Sequence, residues 1–172
     1  MQTTLLADSA PYATSYGDSP YQSFSARAGN PNFIDFAELI EAGYLEQRDI
    51  DGVYLGSDPS NVDYGAIFDG RRQILDRAAE RFAADKPADF DDFIQANEDW
   101  LIPYCEFMTV KEECGLKAFW EWPAELRTRG EASAKVCADH PARMLYHQMT
   151  QYFFDRQWSR LKAYANERDI LI

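Results

Sequence analysis

The residues best suited to ligand chemistry lie in the stretch SYGDSPYQSFSARAGNPNF, Ser15 to Phe33. Small, polar and aromatic residues alternate there with no helical or strand period, which is typical of a loop. Flat aromatic rings can stack on a ligand, and short polar side chains can form hydrogen bonds with it. The alternative is that these aromatic residues only anchor the loop to helices. The binding interpretation assigns substrate contacts to Tyr16, Asp18, Ser19, Tyr21 and Gln22.

The overall composition narrows the class of ligand. The chain has 172 residues, 46% of them hydrophobic, which is enough for one domain with a real core. Its formal net charge of -12 would repel phosphate backbones and anionic lipid headgroups. We therefore expect a neutral ligand, with no nucleic-acid partner and no membrane partner.

The N-terminal sequence, the cysteines and the histidines indicate where the protein is located and whether it has a metal site. The N-terminus lacks the basic and apolar regions of a signal peptide, and no apolar run approaches the roughly 20 residues of a membrane span. We expect a cytoplasmic protein. Cys105, Cys114 and Cys137 form no CxxC pair, which predicts reduced thiols. His140 and His147 lack the spacing of zinc ligands on one helix face, so we expect no metal site and a structural or solvated role for both.

The elements that must position the loop are predicted to be helices. Apolar spacing predicts a short helix in 34–45, with Asp35 as N-cap, followed by a connection over 46–62. Longer helices are predicted for 63–85 and for 90–114, where Pro103 should cause a kink or a break. A turn should follow, and 131–168 should be helical with a division at Pro141. Core packing is expected for Trp100, Trp122 and Trp158.

Five segments in order resemble one family. The first, YGDSPYQSFSARAGNPNFID, is close to a signature of 4-α-glucanotransferases, also called amylomaltases or disproportionating enzymes. The match extends through VDYGAIFDGRRQIL, WLIPYCEFMTVKEECG, WPAELRTR and FFDRQWSRLKAYANERDILI, and so covers nearly everything after Ser15.

The resemblance implies a fold and a division of the chain. Family members are (β/α)8 barrels with a largely helical insertion between two early strands. The chain resembles that insertion: a mainly α subdomain with an irregular N-terminal loop and a truncated C-terminal strand. We expect an irregular segment over 1–33, a helical subdomain over 34–169 and the start of a barrel strand at 170–172.

The resemblance also implies an activity. Family members transfer α-1,4-glucan segments between maltodextrins, a retaining reaction that uses two carboxyl groups about 5 Å apart and needs no metal or organic cofactor. In the family these carboxyl groups lie in RxDHFRG-like and AEDLG-like contexts, and neither motif occurs here. Most of the 29 acidic residues lie on polar helix faces, where solvated charge is expected. We therefore expect an inactive fragment of a transferase, with maltooligosaccharides and the missing barrel as partners.

By the same resemblance, Ser19 and Tyr21 lie at the active-site cleft, and Tyr16 contributes to a secondary glucan-binding surface. Phe68 occupies a position where some members have a second tyrosine for that surface, so it should keep the stacking contact but lose a hydrogen bond. The alternative function is a non-catalytic helical module that binds glucan or another protein.

Overall fold

The fold is mainly helical, as predicted. The computed structural model describes residues 4–5, 13, 23–58 and 60–172. Its α-helices α1 to α6 span Phe36–Glu41, Gln47–Ile50, Tyr64–Ala84, Phe90–Glu113, Glu131–Asp139 and Pro141–Asn166. Three short 3-10 helices span Pro31–Phe33, Phe119–Glu121 and Ala124–Leu126. None of the helices in the described part of the chain is long and apolar enough to cross a membrane.

Two short strands pair in parallel: β1, Thr4–Leu5, and β2, Ile170–Leu171. The predicted C-terminal strand is therefore present. Strand β1 lies within the segment predicted to be irregular, because a two-residue strand leaves no readable alternation and depends on its distant partner.

The three long helical segments follow the predictions closely. Helix α3 begins after Asp63, whose carboxylate accepts a hydrogen bond from the Ala66 amide at 2.9 Å. Helix α4 continues through Pro103, so of the two predicted outcomes the break does not occur. Proline removes one amide donor, but the flanking residues Leu101 and Tyr104 are buried and hold the helix in place. Pro141 divides α5 from α6 as predicted and is the first residue of α6.

The helix α2 was not predicted. It lies inside the expected connection, and its N-terminus is closed by the Asp49 carboxylate, which accepts a hydrogen bond from the Glu46 amide at 2.8 Å. Arg77 on α3 donates to the Asp49 carbonyl at 2.7 Å, and Arg81 pairs with the Asp49 carboxylate. These contacts span about 30 residues of sequence, so local patterns do not reveal them.

The core lies where α3, α4 and α6 pack together. At its centre, Phe82 lies 4.9 Å from Phe90 and 5.8 Å from Phe153 between ring centroids, in edge-to-face contacts. Burial of each such ring stabilises the fold by about 1.5–3 kcal/mol relative to exposure. Trp122 is buried as predicted, whereas Trp100 and Trp158 are only partly buried.

Candidate functional site

Most of the predicted site residues lie outside the described part of the chain. Tyr16, Asp18, Ser19, Tyr21 and Gln22 all fall in this group. Phe68 is described, and it lies on α3 with 44% of its surface exposed. The described part of the candidate site consists of Phe68 and the residues that flank segment 14–22.

The two ends of segment 14–22 are joined by hydrogen bonds. The Phe24 amide donates to the Ala13 carbonyl at 3.1 Å, and the Ala13 amide donates to the Ala28 carbonyl at 2.8 Å. The Ser23 hydroxyl also donates to the Ala13 carbonyl, at 2.9 Å. These bonds close the base of the predicted binding loop.

Helix α6 holds the chain that follows this base. Gln151 is 2% exposed, and its amide group forms two hydrogen bonds with buried Gly29: it accepts from the Gly29 amide at 2.7 Å and donates to the Gly29 carbonyl at 3.0 Å. A Cβ atom at position 29 would lie 2.0 Å from the Phe154 ring. Only glycine therefore allows this close approach. Gln157 forms the same pair of bonds with Asp35, at 2.7 and 3.1 Å, in an exposed setting.

Phe68 and the base of the loop line one cavity of roughly 100 Å³. Aromatic and aliphatic side chains form part of its wall: Phe24, Phe68, Leu75, Met108 and Leu116. Polar and charged side chains also line it: Asn30, Asn32, Arg71, Arg72, Tyr104, Glu112, Tyr146 and His147. Rings beside hydrogen-bonding groups are what a neutral polyhydroxyl ligand requires.

Glu112 is the centre of the charge network in this wall. Arg143 donates to both of its carboxylate oxygens, at 2.6 and 3.0 Å, and Arg72 donates at 2.9 Å. Burial alone would raise the pKa of the Glu112 carboxyl, but the two hydrogen bonds and the positive charge of Arg143 favour the ionised form, and the pKa falls to about 2. Glu112 is therefore ionised at neutral pH and already paired, which suits a positioning role better than proton transfer.

His147 lies beside Glu112 in the same wall. Its Nε2 atom is 3.2 Å from Glu112 Oε1 but has no hydrogen-bond partner among the described residues. Burial lowers the pKa of His147, more than the adjacent carboxylate raises it. A neutral, buried imidazole results. The prediction of a structural role fits this position, and His140 instead contacts exposed Glu113 at 3.2 Å.

Sequence patterns did not identify this network. Arg72 and Arg143 are 40 and 31 residues from Glu112, and no spacing rule connects such positions. Among the described lining residues of the cavity Glu112 is the single carboxylate, and the described chain contains no cluster of three or more His, Cys, Asp or Glu side chains that could hold a metal ion.

Comparisons with known proteins agree on one family. Residues 2–172 match the family described as 4-alpha-glucanotransferase. The chain is 48% identical over 163 residues to a 4-alpha-glucanotransferase of Streptococcus pneumoniae, covering 93% of the chain and 32% of that relative. It is 36% identical over 160 residues to one of Clostridium butyricum, covering 92% and 33%.

A solved structure resembles this fold closely. It is the amylomaltase from Streptococcus agalactiae in complex with acarbose, with a TM-score of 0.84 and 41% sequence identity. The similarity covers 93% of the chain and 33% of that structure. The chain thus spans about a third of the length of the relatives it matches.

Proposed function

Because the chain belongs to the 4-alpha-glucanotransferase family, we propose that it forms the glucan-contacting helical part of an enzyme that transfers α-1,4-glucan segments between maltodextrins. The reaction would be a retaining double displacement, and the missing barrel would supply its catalytic carboxylates. In this proposal the chain provides one wall of the substrate cleft. The chemistry requires carboxylates only, so it uses no metal and no organic cofactor.

One observation carries the proposal. Phe68, a residue predicted to contact glucan, lines the same cavity as Ala13 and Phe24, which close the base of segment 14–22. The substrate-binding roles of Tyr16, Asp18, Ser19, Tyr21 and Gln22 remain proposals, supported by the position of Ala13 and Phe24, the residues on either side of this segment, in the wall of the cavity. The similar amylomaltase of Streptococcus agalactiae is described in complex with acarbose.

The proposal that the chain itself is inactive rests on its carboxylates. Retaining transfer needs a nucleophile and a general acid about 5 Å apart. In the cavity wall, Arg72 and Arg143 donate hydrogen bonds to the Glu112 carboxylate. The described residues that line the cavity include no second carboxylate. When the chain is incubated with maltotriose, we expect that no glucose is released and that no oligosaccharide longer than maltotriose forms. Formation of maltopentaose by the chain alone would contradict this part of the proposal.

Phe68 offers the direct test of glucan binding. Phe68→Ala removes the ring and should weaken maltoheptaose binding roughly fivefold, as expected for loss of one stacking contact. Phe68→Tyr restores a hydroxyl and should strengthen binding about twofold to fivefold if that hydroxyl meets a sugar. Isothermal titration calorimetry measures both. Unchanged affinity in Phe68→Ala would reject the cavity as a glucan site.

We also infer a cytoplasmic location. The support is the set of three unpaired cysteines in the described chain, Cys105, Cys114 and Cys137, since free thiols are typical of reducing compartments. Burial raises the pKa of Cys114 and Cys137, so both are poor nucleophiles at neutral pH. Cell fractionation followed by thiol labelling of the native protein would test the location.

A further inference from the structure

Arg71 is a partly buried cation that pairs with no carboxylate in the described part of the chain. Its Nη2 atom donates to the Ile34 carbonyl, its guanidinium lies 4.0 Å from the centroid of the Phe36 ring, and its buried Nε atom has no hydrogen-bond partner there. Burial lowers the pKa of Arg71 more than Tyr146 and Asp35 raise it. The Asp35 carboxylate is engaged as the N-cap of α1. Because a buried charge without a counter-charge is unfavourable, the surroundings of Arg71 favour binding of an anion.

The charges of the network beside Arg71 do not balance. Arg72 and Arg143 both pair with Glu112. Arg143 also pairs with Asp76. Together with Arg71, these side chains carry three positive charges and two negative ones, so one positive charge is left without a counter-charge. Since Arg71, Arg72 and Glu112 line the cavity described above, the excess positive charge lies in its wall.

His147 adds a second buried polar atom without a partner to the same wall. The residue is 3% exposed, and its Nε2 atom has no hydrogen-bond partner within the described chain. The Glu112 carboxylate 3.2 Å away favours the tautomer that carries the proton on Nε2, so this atom is a donor without an acceptor. The buried rings of Tyr104 and Tyr146 lie against His147, at 6.4 and 5.2 Å between ring centroids. The cavity therefore has a buried polar end at His147 and an exposed end at Phe68.

We propose that the buried end of this cavity binds a small oxyanion of the size of phosphate, which accepts hydrogen bonds from Arg71 and His147. Both residues have a buried N–H group that lacks an acceptor, and the oxygens of such an ion supply acceptors together with the missing negative charge. A guanidinium group suits an oxyanion better than a spherical ion, because its N–H groups lie in one plane and can donate in parallel. The cavity of roughly 100 Å³ has room for such an ion.

The chain's net charge of -12 is compatible with this site. Surface charges more than about 10 Å from the ion are screened at 0.1 M salt, whereas Arg71 and Arg72 line the site itself. A long polyanion would contact the acidic surface and be repelled. The expected ligand is therefore a single small ion, and the inference does not depend on glucan binding.

The test follows the histidine resonances of the 172-residue chain by NMR while sodium phosphate replaces sodium chloride at constant ionic strength and constant pH. The chain contains 2 histidines, and His140, which contacts exposed Glu113, serves as an internal control. We expect the imidazole resonances of His147 to shift saturably, with a Kd on the order of 1 mM for phosphate, and those of His140 to stay unchanged. The variant His140→Gln assigns the two sets of resonances.

Variants of Arg71 test the proposed cation. Arg71→Met removes the charge at similar length and should weaken phosphate binding roughly tenfold or more, whereas Arg71→Lys keeps the charge and should weaken it only about threefold. The matched control on α3 is Arg77→Met. Arg77 donates to the Asp49 carbonyl at 2.7 Å and is not among the described residues that line the cavity, so phosphate affinity should stay unchanged. Circular dichroism checks that each variant is folded.

Three results would overturn the inference. The first is the absence of a saturable change at His147 in the unaltered chain. The second is an equal shift at His140, which would indicate a general effect of the salt. The third is an unchanged phosphate affinity in folded Arg71→Met. Because maltoheptaose takes no part in this titration, its failure would be distinguishable from a failure of the proposed glucan site.

Discussion

The contact between helix α6 and the chain that follows segment 14–22 can be tested by substitution of Gln151. Its side chain satisfies both backbone groups of buried Gly29, at 2.7 and 3.0 Å. Gln151→Met keeps a similar length and volume but removes the donor and the acceptor. The Gly29 amide and carbonyl would then be left without partners in a site that excludes water.

The magnitude follows from the number of groups affected. Each buried polar group that loses its partner costs about 1–3 kcal/mol, so two groups should cost about 2–6 kcal/mol. A domain of this size is stable by only about 5–15 kcal/mol. Gln157 provides the matched control, because it forms the same two bonds with Asp35 in an exposed setting. Water can replace those bonds, so Gln157→Met should cost less than about 1 kcal/mol.

Urea unfolding followed by circular dichroism would compare the two variants with the unaltered chain. We expect Gln151→Met to lower the midpoint strongly at constant slope, and Gln157→Met to change it little. Maltoheptaose affinity should fall in Gln151→Met alone, since only that variant loosens the base of the loop. Equal losses of stability in the two variants, or a loss under about 1 kcal/mol in Gln151→Met, would refute the reasoning from burial.

Three other outcomes are expected. Because the folded-state pKa of Glu112 is about 2, below its usual 4.5, the ionised group stabilises the fold above pH 4.5 and loses that effect as the pH falls toward 2. Because Glu112 is partly exposed, its ionised form should contribute about 2–3 kcal/mol to the free energy of unfolding. Urea unfolding measured across pH 2–7 should show this pH-dependent contribution in the unaltered chain and not in Glu112→Gln. Gly70→Ala should lower the free energy of unfolding by about 1–3 kcal/mol, because a Cβ atom there would lie 2.6 Å from Leu55 Cδ2 and 2.7 Å from the Tyr54 carbonyl oxygen. Gly65→Ala on the same helix would meet only an Asp63 oxygen at 3.5 Å, so it should raise stability by up to about 1 kcal/mol. A destabilised Gly65→Ala, or a neutral Gly70→Ala, would contradict the steric explanation.

The candidate site was only partly predictable. Phe68 was singled out through its place in a family motif. The structure places it in a cavity wall, and its contact with glucan stays a prediction. The Glu112 network was missed, since Arg72, Arg143 and His147 converge on it from different helices. The exposed position of Trp120 was also not readable, because an aromatic residue in a predicted turn is compatible with a core or with a surface.

Local signals determined the helices. Apolar periodicity, the cap at Asp35 and the proline at position 141 placed α1, α3 and the division between α5 and α6, because these features act within one or two helical turns. The family motifs likewise depend only on residue order, so they identify the family without knowledge of the fold.

Tertiary structure decided whatever depends on contacts between distant residues. Helix α2 is held by arginines of α3, and β1 exists only through its pairing with β2. Gln151 and Gly29 are 122 residues apart, yet their two hydrogen bonds fix the base of the predicted binding loop. The energy of such contacts comes from burial and from mutual satisfaction of polar groups, which exist only after the chain has folded.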